Sequence, residues 1–327
     1  MLRSAFNLLS PAGNAARLSI LIFHRVHAAP DELFPAEPDA RRFDEICAWL
    51  KAWFNVLPLD EAVHCLGSRR LPARAACITF DDGYADNLDV ALPILQRHRL
   101  AATFFIASGY LDGGRMFNDS IIELVRRSPL AALDLAGLGL NCGESLPLGG
   151  GAARPAAIAA LIGELKYRQP DERTELSRAL QARAGVDRIP DDLMMRSDQV
   201  RAMHRAGMQI GAHTVTHPIL ARLEPAAARD EIQRGKAGLE SIIGAPVSLF
   251  AYPNGQPEVD YDSTTVQLVR EAGFRAAVST APGSSDAQTD LFQLPRFTPW
   301  DVSSLRFGMR LLANLRRRAK LLPMAAA

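Results

Sequence analysis

Two short clusters in this sequence carry side chains that can hold a metal ion and work beside it. The first is Thr79-Phe80-Asp81-Asp82-Gly83, and the second is His213-Thr214-Val215-Thr216-His217-Pro218. Two adjacent carboxylates repel each other unless a cation or a proton intervenes. Neighbouring residues of an extended chain point in opposite directions, so one aspartate can take an ion while the other faces a substrate. Gly83 lets the chain turn sharply after them. Alone, the Asp-Asp-Gly triplet reads equally well as a cap and turn before a helix. The two histidines lie four apart and share a face if the segment makes one helical turn. Left extended they would stand roughly 13 Å apart, too far to share an ion. A lone histidine is most often a satisfied structural residue. Two at this spacing, together with a carboxylate elsewhere, form the two-His, one-carboxylate set with an open position that catalytic zinc uses. A third cluster, Phe250-Ala251-Tyr252-Pro253-Asn254-Gly255, reads on its own as a turn.

Each cluster follows an apolar run. Leu18–Phe23, Ala75–Phe80 and Ala102–Ala107 read as buried strands, as do Met208–Ala212, Val247–Ala251 and Phe274–Val278. Helical periodicity falls between them, over Phe43–Phe54, Asn87–His98, Gln199–Ala206, Pro225–Ile243 and Ser263–Ala272. Pro93 counts against a straight second helix. Strands alternating with helices imply a parallel sheet covered by helices, able to close into a barrel, with sites at the carboxyl ends of the strands. The expected fold is therefore α/β. The pattern breaks over about 112–190, where helices are expected at Asn118–Arg127 and Asp171–Ala184 around a Gly-rich piece at Leu146–Ala153. Because the alternation resumes afterwards, this stretch reads as an insertion and not a separate domain.

Composition bounds the function. The 327 residues carry 37 Lys plus Arg against 36 Asp plus Glu, a net charge of +1, which argues against a nucleic-acid binder relying on overall positive charge. Cys47, Cys65, Cys77 and Cys142 make no C-x-x-C pair and read as free thiols. The apolar run before Pro11 is short and broken, and no stretch approaches the roughly 20 apolar residues of a membrane span, so a cytoplasmic protein is expected. Residues 301–327 form a basic tail. Leu305–Leu322 interleaves five arginines and Lys320 with Leu, Met and Phe, and such an amphipathic helix can lie on an anionic membrane or cap the domain as a solvated helix. Oligomeric state has no signature here.

The motifs, in their order and strand context, are similar to those of the NodB-homology polysaccharide deacetylases, carbohydrate esterase family 4. T-F-D-D-G resembles that family's first motif, H-T-V-T-H its second, and F-A-Y-P-N-G falls where the family often has F-R-P-P-Y-G. The resemblance runs from about Leu18 to Pro299, so a domain over 18–300 is expected. It implies a distorted (β/α) barrel and hydrolysis of N-acetyl groups on amino sugars of a polysaccharide or lipid-linked glycan. Carried over by position, Asp81 is the general base, and Asp82, His213 and His217 hold one divalent ion, with zinc favoured and Co, Ni, Fe or Mn admissible. The backbone N–H of Asn254 would help hold an oxyanion.

Two departures stand out. The third-motif arginine falls on Ala251, and no histidine follows His217 to supply the usual general acid. Arg296, near the expected last strand, can pair with Asp81, and His24, at the end of the first strand, lies on the same rim. His24 resembles the Y-H or F-H motif of the biofilm-polysaccharide branch. Tyr84, Asn118, Asp119, Trp300 and Asp301 are lesser candidates for substrate contact, with packing or capping as the alternative. His27, His64, His98 and His204 have no partner pattern. A hydrolase of other C–N bonds, such as cyclic amides, and a glycan-binding relative without catalysis are the competing readings.

Overall fold

Strands covered on both faces need apolar side chains at every position, and Leu18–Phe23 (β1) and Ala75–Phe80 (β3) are buried throughout. In the computed structural model, which describes residues 2–323, these belong to one parallel sheet. Its other strands are Asn55–Val56 (β2), Thr103–Ile106 (β4), Gln209–Ala212 (β7), Leu249–Ala251 (β8) and Ala276–Val278 (β9). The order is β1-β3-β4-β7-β8-β9, with β2 paired to β3 at the side. All six expected strands are present, each within two residues of its expected limits. The sheet curls, and residues 294–297 join its ends: Leu294 bridges to Val278 and Phe297 to Leu21, both in parallel. This is the expected distorted (β/α) barrel.

The period of two sorts the side chains. Leu18, Ile20, Ala75, Cys77, Phe105, Leu249, Val278 and Leu294 share one apolar cluster inside the curl. Leu21, Phe23, Ile78, Phe80, Phe104, Ile106, Phe250 and Ala277 join a second, larger cluster under the covering helices. Those helices include Leu2–Leu9 (α1), Ala40–Trp53 (α2) and Leu92–His98 (α4), whereas Leu59–Gly67 (α3) packs its buried residues with the inner cluster. A π-turn over Asn87–Ala91 precedes α4. Pro93 has no N–H and its ring crowds the carbonyl four residues back, so the wider winding accommodates it where a straight helix would not.

Asp31–Pro35 and Gly113–Leu193 form a second compact unit, and the rest of the described chain forms the first. The second unit holds Phe117–Arg127 (α5), Ala132–Asp134 (β5) paired antiparallel with Ser145–Pro147 (β6), Ala153–Leu165 (α6) and Pro170–Arg183 (α7). This stretch, close to the expected insertion, has its own core with Ile121, Leu124, Leu133, Leu161, Leu165 and Leu180. Helix α6 and the hairpin carry weak periodicity and were not foreseen. The chain returns to the barrel with Ser197–Arg205 (α8), Pro225–Ile243 (α9), Ser263–Glu271 (α10) and Ser304–Arg316 (α11).

Candidate active site

Asp81 continues the inward series Ala75, Cys77, Thr79 past the end of β3, so its carboxylate faces the barrel interior. Arg296 lies two residues beyond inward-facing Leu294, and the same parity brings it in from the closing segment. The two meet as a fork. Arg296 Nη1 and Nη2 donate to the two oxygens of Asp81, each at 2.7 Å. Arg296 is 1% exposed, its Nε donates to the Ser279 carbonyl at 2.8 Å, and its guanidinium lies 5.9 Å from the Phe105 ring centre. A buried carboxylate would ordinarily gain its proton too easily. Burial pushes Asp81 up, but the charges of Arg296 and His213 outweigh it and hold the carboxyl below its usual value.

Asp82 leaves the strand with φ 76° and turns its carboxylate the other way. Neither aspartate caps a helix. Asp82 Oδ1 is buried and accepts no hydrogen bond, yet it lies 3.5 Å from His213 Nε2 and 3.6 Å from His217 Nε2. The three ligand atoms all lie within 4.8 Å of one another. An orphaned carboxylate oxygen facing two imidazole nitrogens, at distances too long for good hydrogen bonds, is what a cation-binding set looks like. The donors therefore fit a divalent ion. His213 Nδ1 bonds the Ala251 carbonyl at 2.7 Å, which turns Nε2 toward Asp82. Burial lowers His217 to about 4, helped by the charge of His213, so its ring is neutral and free to ligate near neutral pH. At His213 burial is outweighed by Asp82 and Asp81, which raise it.

The segment between the histidines is not the helical turn that their spacing suggested. It is an irregular turn with left-handed backbone at Thr214 (φ 66°) and His217 (φ 53°). Three supports hold it. Thr214 Oγ1 accepts from the His217 N–H at 3.0 Å. Glu231 of α9 accepts from the backbone N–H groups of Val215 and Thr216 at 2.9 and 2.8 Å, and from the Thr216 hydroxyl at 2.8 Å. Gly109 and Gly235 approach so closely that a Cβ on either would lie 2.8 Å from backbone atoms of Val215 or Thr214.

His24 ends β1 on the same rim. Its charge acts on Asp81, Asp82 and His217, and its carbonyl accepts from Asn87 Nδ2 at 2.9 Å. Asp86 steadies the next residues, accepting from Arg25 Nε at 2.8 Å and the Val26 N–H at 3.2 Å. Asn254 follows β8 at φ 57°, and its carbonyl accepts the Thr280 hydroxyl at 2.7 Å. Among the described residues no hydrogen bond ties it to the ligand set.

The lesser candidates divide. Tyr84 is buried with the Arg25 guanidinium 4.7 Å from its ring centre, so it packs and does not line an open groove. Asn118 and Asp119 lie inside the first turn of α5, after its cap residue Met116, so capping does not explain them. Asp301 is buried and paired with Arg306 and Arg310, whereas Trp300 stands 62% exposed. His27 and His98 bond Glu37 and Asp44 at 2.6 Å, as structural residues do. Glu231, Gly109, Gly235 and the Ser279 carbonyl carry no motif, and their roles come from pairings distant in the chain.

A family model described as polysaccharide deacetylase matches residues 68–131 and 166–277. YxkH of Bacillus subtilis (strain 168), named for the same family, is 18% identical over 283 residues, covering 86% of this chain and 71% of its own. Among solved structures, Streptococcus pyogenes deacetylase PplD in complex with acetate matches at TM-score 0.59 and 20% identity, covering 92% of this chain and 98% of its own. IcaB from Ammonifex degensii matches at TM-score 0.58 and 18% identity, covering 94% and 99%.

Proposed function

The chain belongs to the polysaccharide deacetylase family, and from that membership we propose that it is a metal-dependent hydrolase removing N-acetyl groups from amino sugars of a polysaccharide or lipid-linked glycan. One observation carries the proposal: a carboxylate locked ionised by Arg296 stands next in the chain to the orphaned ligand set of Asp82, His213 and His217. A divalent ion bound there, zinc by preference for two imidazoles and a carboxylate, supplies Lewis-acid polarisation of the amide carbonyl and a more acidic water.

The chain's own groups do the rest. Asp81 accepts the proton of the attacking water, and Arg296 keeps it ionised and aimed. His24, at the rim on the strand paired with that of Asp81, gives a proton to the departing amine. The backbone N–H of Asn254 donates to the oxygen on which negative charge develops. The products are acetate and a free amino sugar, one water being consumed. Four free thiols suit a reducing compartment, and a cytoplasmic location is part of the proposal.

The test is acetate release from N-acetylglucosamine oligomers and from lipid-linked amino sugars, with Zn, Co, Ni, Fe or Mn supplied in turn. Release that stops in Asp81→Asn, while metal binding persists, is expected. Metal binding with no hydrolysis over the whole panel would leave a glycan-binding relative. Cleavage confined to small cyclic amides would leave a hydrolase of other C–N bonds.

A further inference from the structure

Eight large hydrophobic side chains of the described chain are exposed, and four of them fall within ten residues: Trp300, Val302, Leu305 and Met309, at 62, 73, 66 and 56%. Their place follows from the barrel's closure. Phe297 runs parallel to Leu21 and its carbonyl accepts from the Ile22 N–H at 3.0 Å, so the chain leaves residue 297 toward the end where β1 delivers His24. Trp300 and Val302 thus lie at the carboxyl rim. Helix α11, capped by Ser303, starts there with Leu305 and Met309 one turn apart.

The sequence put the whole stretch Leu305–Leu322 forward as amphipathic, and the fold divides it. The regular apolar stripe of α11, Phe307, Leu311 and Leu315, is spent on the barrel core, as a capping helix requires. The leftover face interleaves Leu305 and Met309 with Arg306, Arg310 and Arg316, all exposed. From 302 to 323 the chain holds five arginines and one lysine and no acidic residue. Asp301, the nearest acid, is buried and shared by Arg306 and Arg310.

We propose that this face docks on an anionic lipid bilayer, with the rim's apolar side chains entering the acyl boundary and the arginines meeting headgroup phosphates. Exposed apolar groups beside a surplus of cations, with Asp301 buried beneath Arg306 and Arg310, match that boundary in chemistry. A hydrated glycan would leave Val302, Leu305 and Met309 facing water. Docking sets the carboxyl rim, and with it Asp81 and its neighbours, against the membrane surface. That the contact presents a lipid-linked glycan to the site rests on the deacetylation proposed above. Vesicle binding needs no turnover, so the two ideas fail separately.

The experiment is co-sedimentation of the full chain with phosphatidylcholine vesicles, with and without phosphatidylglycerol. Binding is expected only with the anionic lipid, falling with added salt, and weakened about tenfold or more in the Leu305→Glu, Met309→Glu double variant. The melting temperature of that variant should match the parent, since both side chains face solvent. Equal binding to both vesicle types, or undiminished binding by the double variant, overturns the proposal. So does a dimer in solution that the double variant dissolves, which would assign the face to a second copy. A Trp300→Ala variant that binds vesicles normally but loses affinity for soluble oligosaccharide would assign the rim to glycan instead.

Discussion

At the scale of single residues the site turns on which carboxylate stays ionised and what keeps it so. Arg296 is wholly buried and its fork is spent on Asp81, Ser279 and Thr79, at distances of 2.7–3.3 Å. Removing it leaves a buried negative charge without a partner, which typically costs about 3–5 kcal/mol. The sign of the effect on activity follows from the same balance. Burial raises the Asp81 carboxyl and Arg296 lowers it, so loss of the guanidinium shifts the carboxyl upward. In Arg296→Met the acid limb of the pH–rate profile should move to higher pH, because a protonated Asp81 accepts nothing from water. Arg296→Lys should recover part of this shift, since it restores the charge but cannot make the two-pronged contact. The profile of kcat/KM against pH for the three proteins checks it, and an unmoved acid limb in Arg296→Met would remove Asp81 as the base.

The element scale explains both what the sequence disclosed and what it withheld. The strands were legible because two-sided burial writes an unbroken apolar run, and Asp81 follows from counting by two along Ala75–Phe80, whereas Arg296 stands on a closing segment of isolated bridges that writes no such run. The candidate ligands were legible because their two clusters begin at the ends of such runs. Spacing alone misread the His213–His217 segment as helical, since His-x-x-x-His fits a helix face and also fits a turn with two left-handed residues. What selects the turn lies elsewhere in the chain. Glu231 on α9 takes its N–H groups, and Gly235 on the same helix lets α9 come against the Thr214 backbone. Alanine inside a helix normally gains up to about 1 kcal/mol over glycine. At Gly235 the new Cβ would meet Thr214 backbone at 2.8 Å, which cannot yield without moving the turn. Overpacking of that kind costs roughly 1–3 kcal/mol, so the clash should win. Gly235→Ala is expected to weaken metal binding, as is Glu231→Gln, the latter by roughly 10–100-fold as for other groups that orient ligands. Titration calorimetry with zinc measures both. Unchanged affinity in Glu231→Gln would mean the turn holds its shape without α9. In the second unit α5 and α7 were legible within a residue, whereas Ala-rich α6 and the three-residue strands of the hairpin write no clear period.

At the scale of the molecule, the ligand set joins two distant parts of one chain. Asp82 follows β3 and the two histidines follow β7, with β4 between them in the sheet. An ion bound by all three is therefore a cross-link in the folded barrel that the unfolded chain cannot reproduce. Binding to the native state alone stabilises it by about 2.7 kcal/mol when free metal is a hundredfold above Kd. For a unit of this size each kcal/mol moves the melting temperature by about 2–4 °C, so a rise of about 5–10 °C is expected on adding metal to chelator-stripped protein. The second unit contributes none of the three ligands, and any transition belonging to it should stay in place. The control separates this linkage from unspecific stabilisation by the salt. In His213→Ala, which removes one ligand, the rise should vanish, whereas in Asp81→Asn, which spares the ligand set, it should persist. Calorimetric scans of the three proteins with and without zinc measure it, and an equal rise in His213→Ala would place the ion somewhere other than between β3 and β7.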